Sequence, residues 1–579
     1  MLTRILLREG PSSQWLLFES PRDVLLAGNV TAVKETLAEI ERRVTEDKLF
    51  AAGYIAYEAA PGFDEALKTR PGGQIPLLCF GLFDACTKLD ALPEASGSEP
   101  PDTRWKLNGT RDQYRHAISR IRQHIARGNC YQVNYSLRQT SAFAGDAWQL
   151  FLHIAADAPY AAYLEFEEFA LVSASPELLF RLDGDTIHCR PMKGTAARGM
   201  TLAADRVARH TLANSTKNRA ENIMITDMVR NDLGRVAVSG SVTANPLYAL
   251  EKYPTLWQMT STVTATSNAG ISAIMAALFP AASITGAPKA ASMAIIAELE
   301  DTPRGIYTGS IGYFDSKRHA TFNVAIRTAV VDKAGSTATY GVGGGIVWDS
   351  EADDEYEECL NKSQVLRSST GAQHFQLLET LRWTREDGCF LLSEHLDRLQ
   401  DSAEYFDFAC DRAAIEQEFA HLGTTLTAGR SRLRLTLNRA GQFSITHEDL
   451  AMTINDSGYR IRLAAGPIEI HNPFLYHKTT HREVYEQARQ SVADCDDVLL
   501  WNKEGFITET TIANVLVEID NKLATPPVEC GLLAGTLRRY LLDEGSIIER
   551  KIHVDDLEQM ETLELINSVR GRFTASLCH

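Results

Sequence analysis

The sequence predicts a mixed α/β (α+β) chain of two enzyme-sized halves, and three observations predict it. Helical and strand-like patterns alternate along its length rather than segregating. Residues 84–104 and 366–374 interrupt that pattern with Pro, Ser, Gly and charged residues that have no periodicity. At 579 residues, the chain also exceeds what one ordinary core organises, so roughly three to four folding units are expected.

The opening MLTRILLREGPSSQW ends its apolar run early and has no small-residue cleavage site, which argues against a signal peptide. YRHAISRIRQHIARG, from Tyr114, is an amphipathic helix closed by Gly128. KNRAENIMITDMVRNDLGR, residues 217–235, sets Glu221, Ile225, Met228 and Asp232 on one helical stripe. TFNVAIRTAVV has the β-branched character of one buried strand. GVGGGIV, residues 341–347, suits either a tight turn or a backbone cradle for a carboxylate. DSEADDEYEECLNK is an acidic helix in which Glu355 and Glu358 share a face and Lys362 lies one turn beyond. After residue 374, the helix pattern SEHLDRLQDSAEYF and the strand patterns SRLRLTLN, DVLLWN and ANVLVEI supply a second α/β unit. The expected boundaries are therefore 1–366 (1–104 as its N-terminal part, 105–366 as its core), a linker at 367–374 and a unit at 375–579.

Composition limits the function classes. The chain is 44% hydrophobic and 23% charged, as for a soluble globular protein, and its net charge of −17 disfavours nucleic acid and anionic lipid as partners. The stretch most like a membrane span, residues 270–284, is short, Ala-rich and broken by Pro280. The ten Cys form no CxxC pair, so they read as reduced structural thiols. A cytosolic protein whose partner is a small molecule rather than a polymer is the expectation.

Singly, the chemistry-bearing residues have ordinary readings. An acid run is commonly a solvated helix start, and a lysine ahead of a helix, as at Lys478, is commonly a surface residue. Glu221, Glu355 and Glu358, if they converge, are hard oxygen donors suited to Mg²⁺.

Their combination resembles a known family. GNCYQVNYS, SASPELLF, PMKGTAARG, RAENIMITDMVRNDLGR, SITGAPK, YTGSIGYF, FNVAIRT, GGGIVWDS and EYEECLNK occur in order over residues 128–362. This stretch is similar to the chorismate-utilising enzymes, the family of anthranilate synthase and aminodeoxychorismate synthase component I. The resemblance implies a layered α/β sandwich around antiparallel sheets. It also implies Mg²⁺ held by Glu221, Glu355 and Glu358, and chorismate held by Arg327, Tyr307, Gln132, Thr285 and backbone N–H groups near Gly343 and Gly344. Lys193 in PMKGT stands where anthranilate-forming relatives have an apolar residue, so the resemblance implies a lysine nucleophile and amination at ring C4. Two departures stand out. Gln258 occupies the place of a family histidine and cannot titrate, and Ala281 and Ala282 replace a Gly pair.

From residue 375 to 577, SEHLDRL, HNPFLYHKTT, GFITETTIANVLV, GLLAGTLRR and INSVRG resemble the class IV pyridoxal-phosphate enzymes, which have a two-subdomain aminotransferase-like fold. By that resemblance Lys478 anchors pyridoxal 5′-phosphate as a Schiff base, Glu509 pairs with the pyridine nitrogen, and Arg398 with the backbone near Thr536 and Ser568 holds the phosphate. The two resemblances together imply a bifunctional enzyme of 4-aminobenzoate synthesis. Chorismate is aminated with ammonia from a separate glutamine amidotransferase, and pyruvate is then eliminated. The alternative is an anthranilate-forming half fused to a branched-chain or D-amino-acid type aminotransferase; a scaffold retaining decayed enzyme folds is a rival of another class. A homodimer through the back half is also expected, as in class IV relatives.

Overall fold

The computed structural model describes residues 2–10, 14–73, 75–93, 104–155, 158–362, 366, 375–450, 458–492, 494–559 and 562–578. The expected linker at 367–374 lies outside the described residues. The chain forms two compact units: Met1–Ala196 with Thr211–Ala372, and Ala197–His210 with Gln373–His579. Residues 197–210 thus group with the second unit, although both flanking segments belong to the first.

Among the described residues, the first unit has a ten-stranded and a nine-stranded sheet, with a small sheet of three strands beside them. Strand alternation builds the layers. In Leu2–Arg8, Ile5 and Leu7 enter one buried cluster and Leu6 another. In Phe50–Ile55, Ala52 and Tyr54 join Ile5 and Leu7, while Ala51 and Ile55 join a third cluster. The shared cluster therefore lies between the two sheets. The other two clusters lie on the sheets' outer faces, where helices such as Val30–Asp47 and Thr216–Gly234 cover the nine-stranded sheet, and Arg111–Ala126 and Ala147–Ile154 cover the ten-stranded one. The antiparallel layered sandwich expected from the sequence is what forms.

The reading of TFNVAIRTAVV as one strand is corrected. It forms two strands, His319–Asn323 in the nine-stranded sheet and Thr328–Asp332 in the ten-stranded sheet. The chain changes sheets between them, and Arg327 at φ +50° makes part of the turn. GVGGGIV forms no turn either: it is the end of the extended strand Thr337–Ile346.

In the second unit, a four-stranded antiparallel sheet packs with the helices Leu392–Phe406 and Arg412–Thr425. An eight-stranded mixed sheet forms the other part, in which Tyr459–Leu463 runs parallel to both Asp497–Trp501 and Gly571–Cys578. This is the two-part architecture expected of that half.

Candidate active sites

Lys193 lies on the strand Met192–Ala197, in the three-stranded sheet beside Leu256–Thr260. Its backbone is held by two amides. Asn222 Nδ2 donates to the Lys193 carbonyl at 3.2 Å, and Gln258 Nε2 donates to the Gly194 carbonyl at 2.9 Å. Gln258 Oε1 accepts from Thr195 Oγ1 at 3.1 Å. Gln258 thus clips the strand that carries Lys193.

Burial pushes the Lys193 amine below the usual lysine range, with help from the charge of Lys362, against the opposing pull of Glu221, Glu177 and Glu358. The amine faces the glycine strand. A Cβ added to Gly345 would stand 2.8 Å from Lys193 Nζ and 2.5 Å from Gln132 Nε2. Gln132 is fully buried, and neither its Oε1 nor its Nε2 has a hydrogen-bond partner. An unsatisfied buried amide costs about 1–3 kcal/mol, so Gln132 suits a polar ligand in the space that Gly345 leaves open.

The same strand offers an open edge. Its pairing with Thr328–Asp332 ends at Ala329 and Tyr340, whereas its pairing with Gln132–Ala142 runs on to Ile346. Lys362 Nζ reaches that edge and donates to the Gly343 carbonyl at 2.9 Å. In an extended strand a residue's N–H and C=O point to the same side, so the Gly343 N–H faces the edge too. Gly344 leaves room instead: a Cβ there would lie 3.1 Å from Glu355 Oε2.

The other predicted side chains are dispersed around this strand. The Tyr307 ring fills the space beside Gly341, where a Cβ would stand 2.2 Å from its Cγ, and Arg138 lies 5.0 Å over it. Burial raises the Tyr307 hydroxyl's pKa, and the nearby Arg304 and Arg138 oppose the rise. The charge of Arg327 is felt at the buried Tyr340 on the glycine strand. Thr285 turns its hydroxyl inward, donating to the Ala281 carbonyl at 3.0 Å, while its own carbonyl accepts from Asn134 N at 2.9 Å.

The three glutamates form no preformed cage, and among the described residues no three His, Cys, Asp or Glu are grouped to hold a metal ion. Glu355 accepts from Ser350 Oγ at 2.7 Å, and burial raises its pKa. Burial acts the same way on Glu358, but Lys362, 2.7 Å away, holds its carboxyl below the usual range. Glu221 and Glu358 both act on Lys193. As hard oxygen donors they are of the type that would suit Mg²⁺.

Sequence reasoning missed Glu177. It is 4% exposed, accepts from Ser283 Oγ at 2.6 Å, and is pushed up to about 7 by burial despite the opposing charge of Lys193. A buried carboxyl raised to about 7 within electrostatic reach of a lysine of lowered pKa is suited to acid–base chemistry.

In the second unit, Lys478 follows the short helical turn Pro473–Leu475, and its carbonyl accepts from Leu378 N at 3.0 Å. Burial, with the charges of Arg398 and Arg482, lowers its amine to about 8. Glu509, on Ile507–Thr510, accepts from Tyr485 Oη at 2.8 Å, Leu533 N at 3.0 Å and Asn514 Nδ2 at 3.2 Å. Burial nevertheless raises it to about 7. A fixed buried carboxyl across from a lysine suits a protonated pyridine nitrogen.

Arg398 is gripped by Glu379 at 2.6 and 2.9 Å and donates to the Ala534 carbonyl at 3.1 Å. Burial disfavours the Glu379 carboxylate, but Arg398 and His395 prevail and hold it at about 2. His395 Nδ1, 2.6 Å from Glu379, carries the proton because the carboxylate can only accept; Nε2 then accepts from Thr536 Oγ1 at 3.2 Å. Thr536 opens the helix Thr536–Asp543, and Ser568 Oγ donates to the carbonyl of Thr380, next to Glu379. One network thus joins Arg398, Thr536 and the surroundings of Ser568, with a helix N-terminus in it, which fits a phosphate.

Comparison with known proteins agrees with this division. Residues 4–368 match the family model of chorismate binding enzymes, and residues 376–577 match that of class IV amino-transferases. Over 287 residues the chain is 39% identical to aminodeoxychorismate synthase component 1 of Bacillus subtilis (strain 168), a match covering 49% of this chain and 59% of that one. Over 262 residues it is 40% identical to the Escherichia coli (strain K12) protein of the same name, covering 45% and 57%. The matched stretch is therefore less than two thirds of either relative. The structure of anthranilate synthase component I from Streptococcus pneumoniae TIGR4 superposes with a TM-score of 0.55 at 21% identity, covering 62% of this chain and 92% of that one. That likeness speaks to fold alone. Among the described residues no helix is long and apolar enough to cross a membrane.

Proposed function

Since the chain belongs to the chorismate binding enzymes, we propose that its first unit aminates chorismate at C4 and its second unit releases pyruvate from the product to give 4-aminobenzoate. The observation that carries this reading is the Lys193 amine, lowered in pKa and facing Gly345 and the unpartnered Gln132, with Glu177 beside it.

The neutral Lys193 amine attacks ring C2. The C1–C2 double bond shifts to C1–C6, the C5–C6 double bond shifts to C4–C5, and the C4 hydroxyl departs as water with a proton from Glu177. Ammonia then attacks C4, the double bonds return to C1–C2 and C5–C6, the C2–N bond breaks to release Lys193 as the neutral amine, and the new C4 ammonium gives a proton back to Glu177. The net change is chorismate plus ammonia to 4-amino-4-deoxychorismate plus water. Arg327, Tyr307 and the Gly343 amide serve the enolpyruvyl carboxylate. Glu221, Glu355 and Glu358 would hold Mg²⁺, which would supply charge neutralisation for the anionic substrate. Ammonia comes from a separate glutaminase subunit.

In the second unit, Lys478, Glu509, Arg398 and the backbone at Thr536 and Ser568 hold pyridoxal phosphate, which supplies an electron sink for the substrate's C4–H bond. Lys478, once neutral, takes the C4 proton. Glu509 keeps the pyridine nitrogen protonated, and loss of the C3 enolpyruvyl group as pyruvate aromatises the ring.

The test is product identity with chorismate, ammonium and Mg²⁺. 4-Aminobenzoate and pyruvate are expected, with Lys193→Ala blocking the first step and Lys478→Ala accumulating the aminated intermediate. 2-Aminobenzoate would overturn the reading of the first unit, and an amino-group exchange with 2-oxo acids without pyruvate release would overturn that of the second.

A further inference from the structure

Residues 197–210 lie within the stretch that matches the chorismate binding enzymes, yet they group with the second unit. Their packing there is specific. Arg198 and Asp205 form an ion pair at 2.6 Å whose side chains are 4% and 3% exposed. Asp205, in the first turn of the helix Leu202–Asn214, also accepts from Gly199 N at 3.1 Å, which closes the loop 198–201 onto that turn. The Arg198 guanidinium donates to the Tyr405 carbonyl at 3.0 Å and lies 4.2 Å over the Tyr405 ring. Arg206 forks onto Glu404 at 2.6 and 3.1 Å.

That loop presents the Met200 carbonyl to His477 Nε2 at 3.1 Å. A carbonyl only accepts, so Nε2 carries the proton, and Nδ1 accepts from Ser402 Oγ at 3.0 Å. The His477 ring lies tilted 4.3 Å from Tyr405 and meets Phe406 edge-on at 4.9 Å. Tautomer, ring plane and position are all set, and the next residue is Lys478.

A buried ion pair is a poor stabiliser, often no better than well-packed apolar residues in its place, so its use lies elsewhere. We infer that residues 197–210 act as a positioning strap for the second site: Arg198 and Asp205 shape the loop, the loop fixes His477, and His477 fixes the backbone from which Lys478 extends. The strap leaves the first unit three residues after Lys193, so the sequence of one enzyme half supplies a structural part of the other.

This inference rests on the reading of Lys478 as the cofactor lysine, and its test separates the two. In the full chain without cofactor, backbone hydrogen exchange of peptides spanning 473–482 is measured for Arg198→Met, for the pair Arg198→Met with Asp205→Leu, which leaves no unpaired buried charge, and for His477→Phe and His477→Gln. Exchange there should rise about tenfold in the first three and stay within about twofold in His477→Gln, whose amide donates to Met200 and accepts from Ser402. Exchange over 217–235 should not change. Pyridoxal phosphate affinity, read from borohydride trapping on Lys478, should fall about tenfold in the same three variants. Unchanged exchange at 473–482 in the charge-free pair and in His477→Phe would overturn the strap. If the unaltered chain traps no pyridoxal phosphate, the cofactor reading falls instead, and the exchange result alone decides whether the strap orders this segment.

Discussion

An amine attacks carbon only after losing its proton, and at Lys193 burial favours that loss while Glu177, raised to about 7, keeps a proton to give. Amination should therefore need Lys193 neutral and Glu177 protonated, which makes its kcat/KM bell-shaped in pH. Glu177→Gln is expected to lower it by about 10²- to 10⁴-fold and to abolish the fall above pH 7, checked by pH–rate profiles of chorismate consumption. A profile whose alkaline limb survives in the variant would assign that limb elsewhere. Gln258 acts differently, through the Gly194 carbonyl and Thr195. Gln258→Ala should lower the amination kcat about tenfold with KM for chorismate nearly unchanged, the pattern of a mispositioned nucleophile. Gln258→Glu, which sets a carboxylate oxygen against that carbonyl, should do no better. At this scale sequence reading was uneven. Lys193 and Glu509 announce themselves through motif context, whereas Glu177 is one acid among apolar neighbours in SASPELLF. Only the fold brings Ser283 and Lys193 to it.

Among elements, the strand Thr337–Ile346 shows what glycine contributes here. Its glycines need no turn; they keep side chains out of the space used by Tyr307, Gln132, Lys193 and Glu355. Gly345→Ala would push a methyl against both Gln132 and Lys193, and these flexible side chains can move aside only by leaving the site. The strand should therefore still form, with thermal unfolding shifted by a few degrees at most, while chorismate affinity falls about a hundredfold by equilibrium binding. A variant that binds chorismate normally would remove this strand from the site. The helices at 114–128 and 217–235 were legible because a 3.6-residue period persists across several turns. TFNVAIRTAVV was not, because two short strands in different sheets look like one long strand when both are buried. The only local sign is Arg327, a charge in an apolar run at the change of sheet, where its positive φ is adopted.

For the whole molecule, the division into two units could be anticipated from composition near residue 370, but the grouping of residues 197–210 with the second unit could not. Nothing in PMKGTAARGMTLAADR marks a change of allegiance, since Arg198 and Asp205 reveal their partners only in three dimensions. Each unit also carries one buried carboxyl raised to about 7, Glu177 in the first and Glu509 in the second. Unfolded, both titrate near 4.5. Between pH 4.5 and 7 these two folded carboxyls retain protons that the unfolded chain has lost, so their contribution to stability falls as pH rises through that window; in the second unit His477, lowered to about 4 by burial, and His395, also lowered by burial, act in the opposite sense. The slope is at most roughly 1.4 kcal/mol per pH unit for each group. Glu379, held at about 2, works in the opposite sense, losing stability only below pH 4.5. Scanning calorimetry of the cofactor-free chain at pH 5, 6 and 7.5 should then resolve two transitions, the first unit's moving down with rising pH and the second unit's, where the histidines oppose Glu509, moving less. Glu177→Gln and Glu509→Gln should each change the pH dependence of its own unit's transition only. If either substitution flattens both transitions equally, the two units unfold as one cooperative body, and their separate cores do not confer separate stabilities.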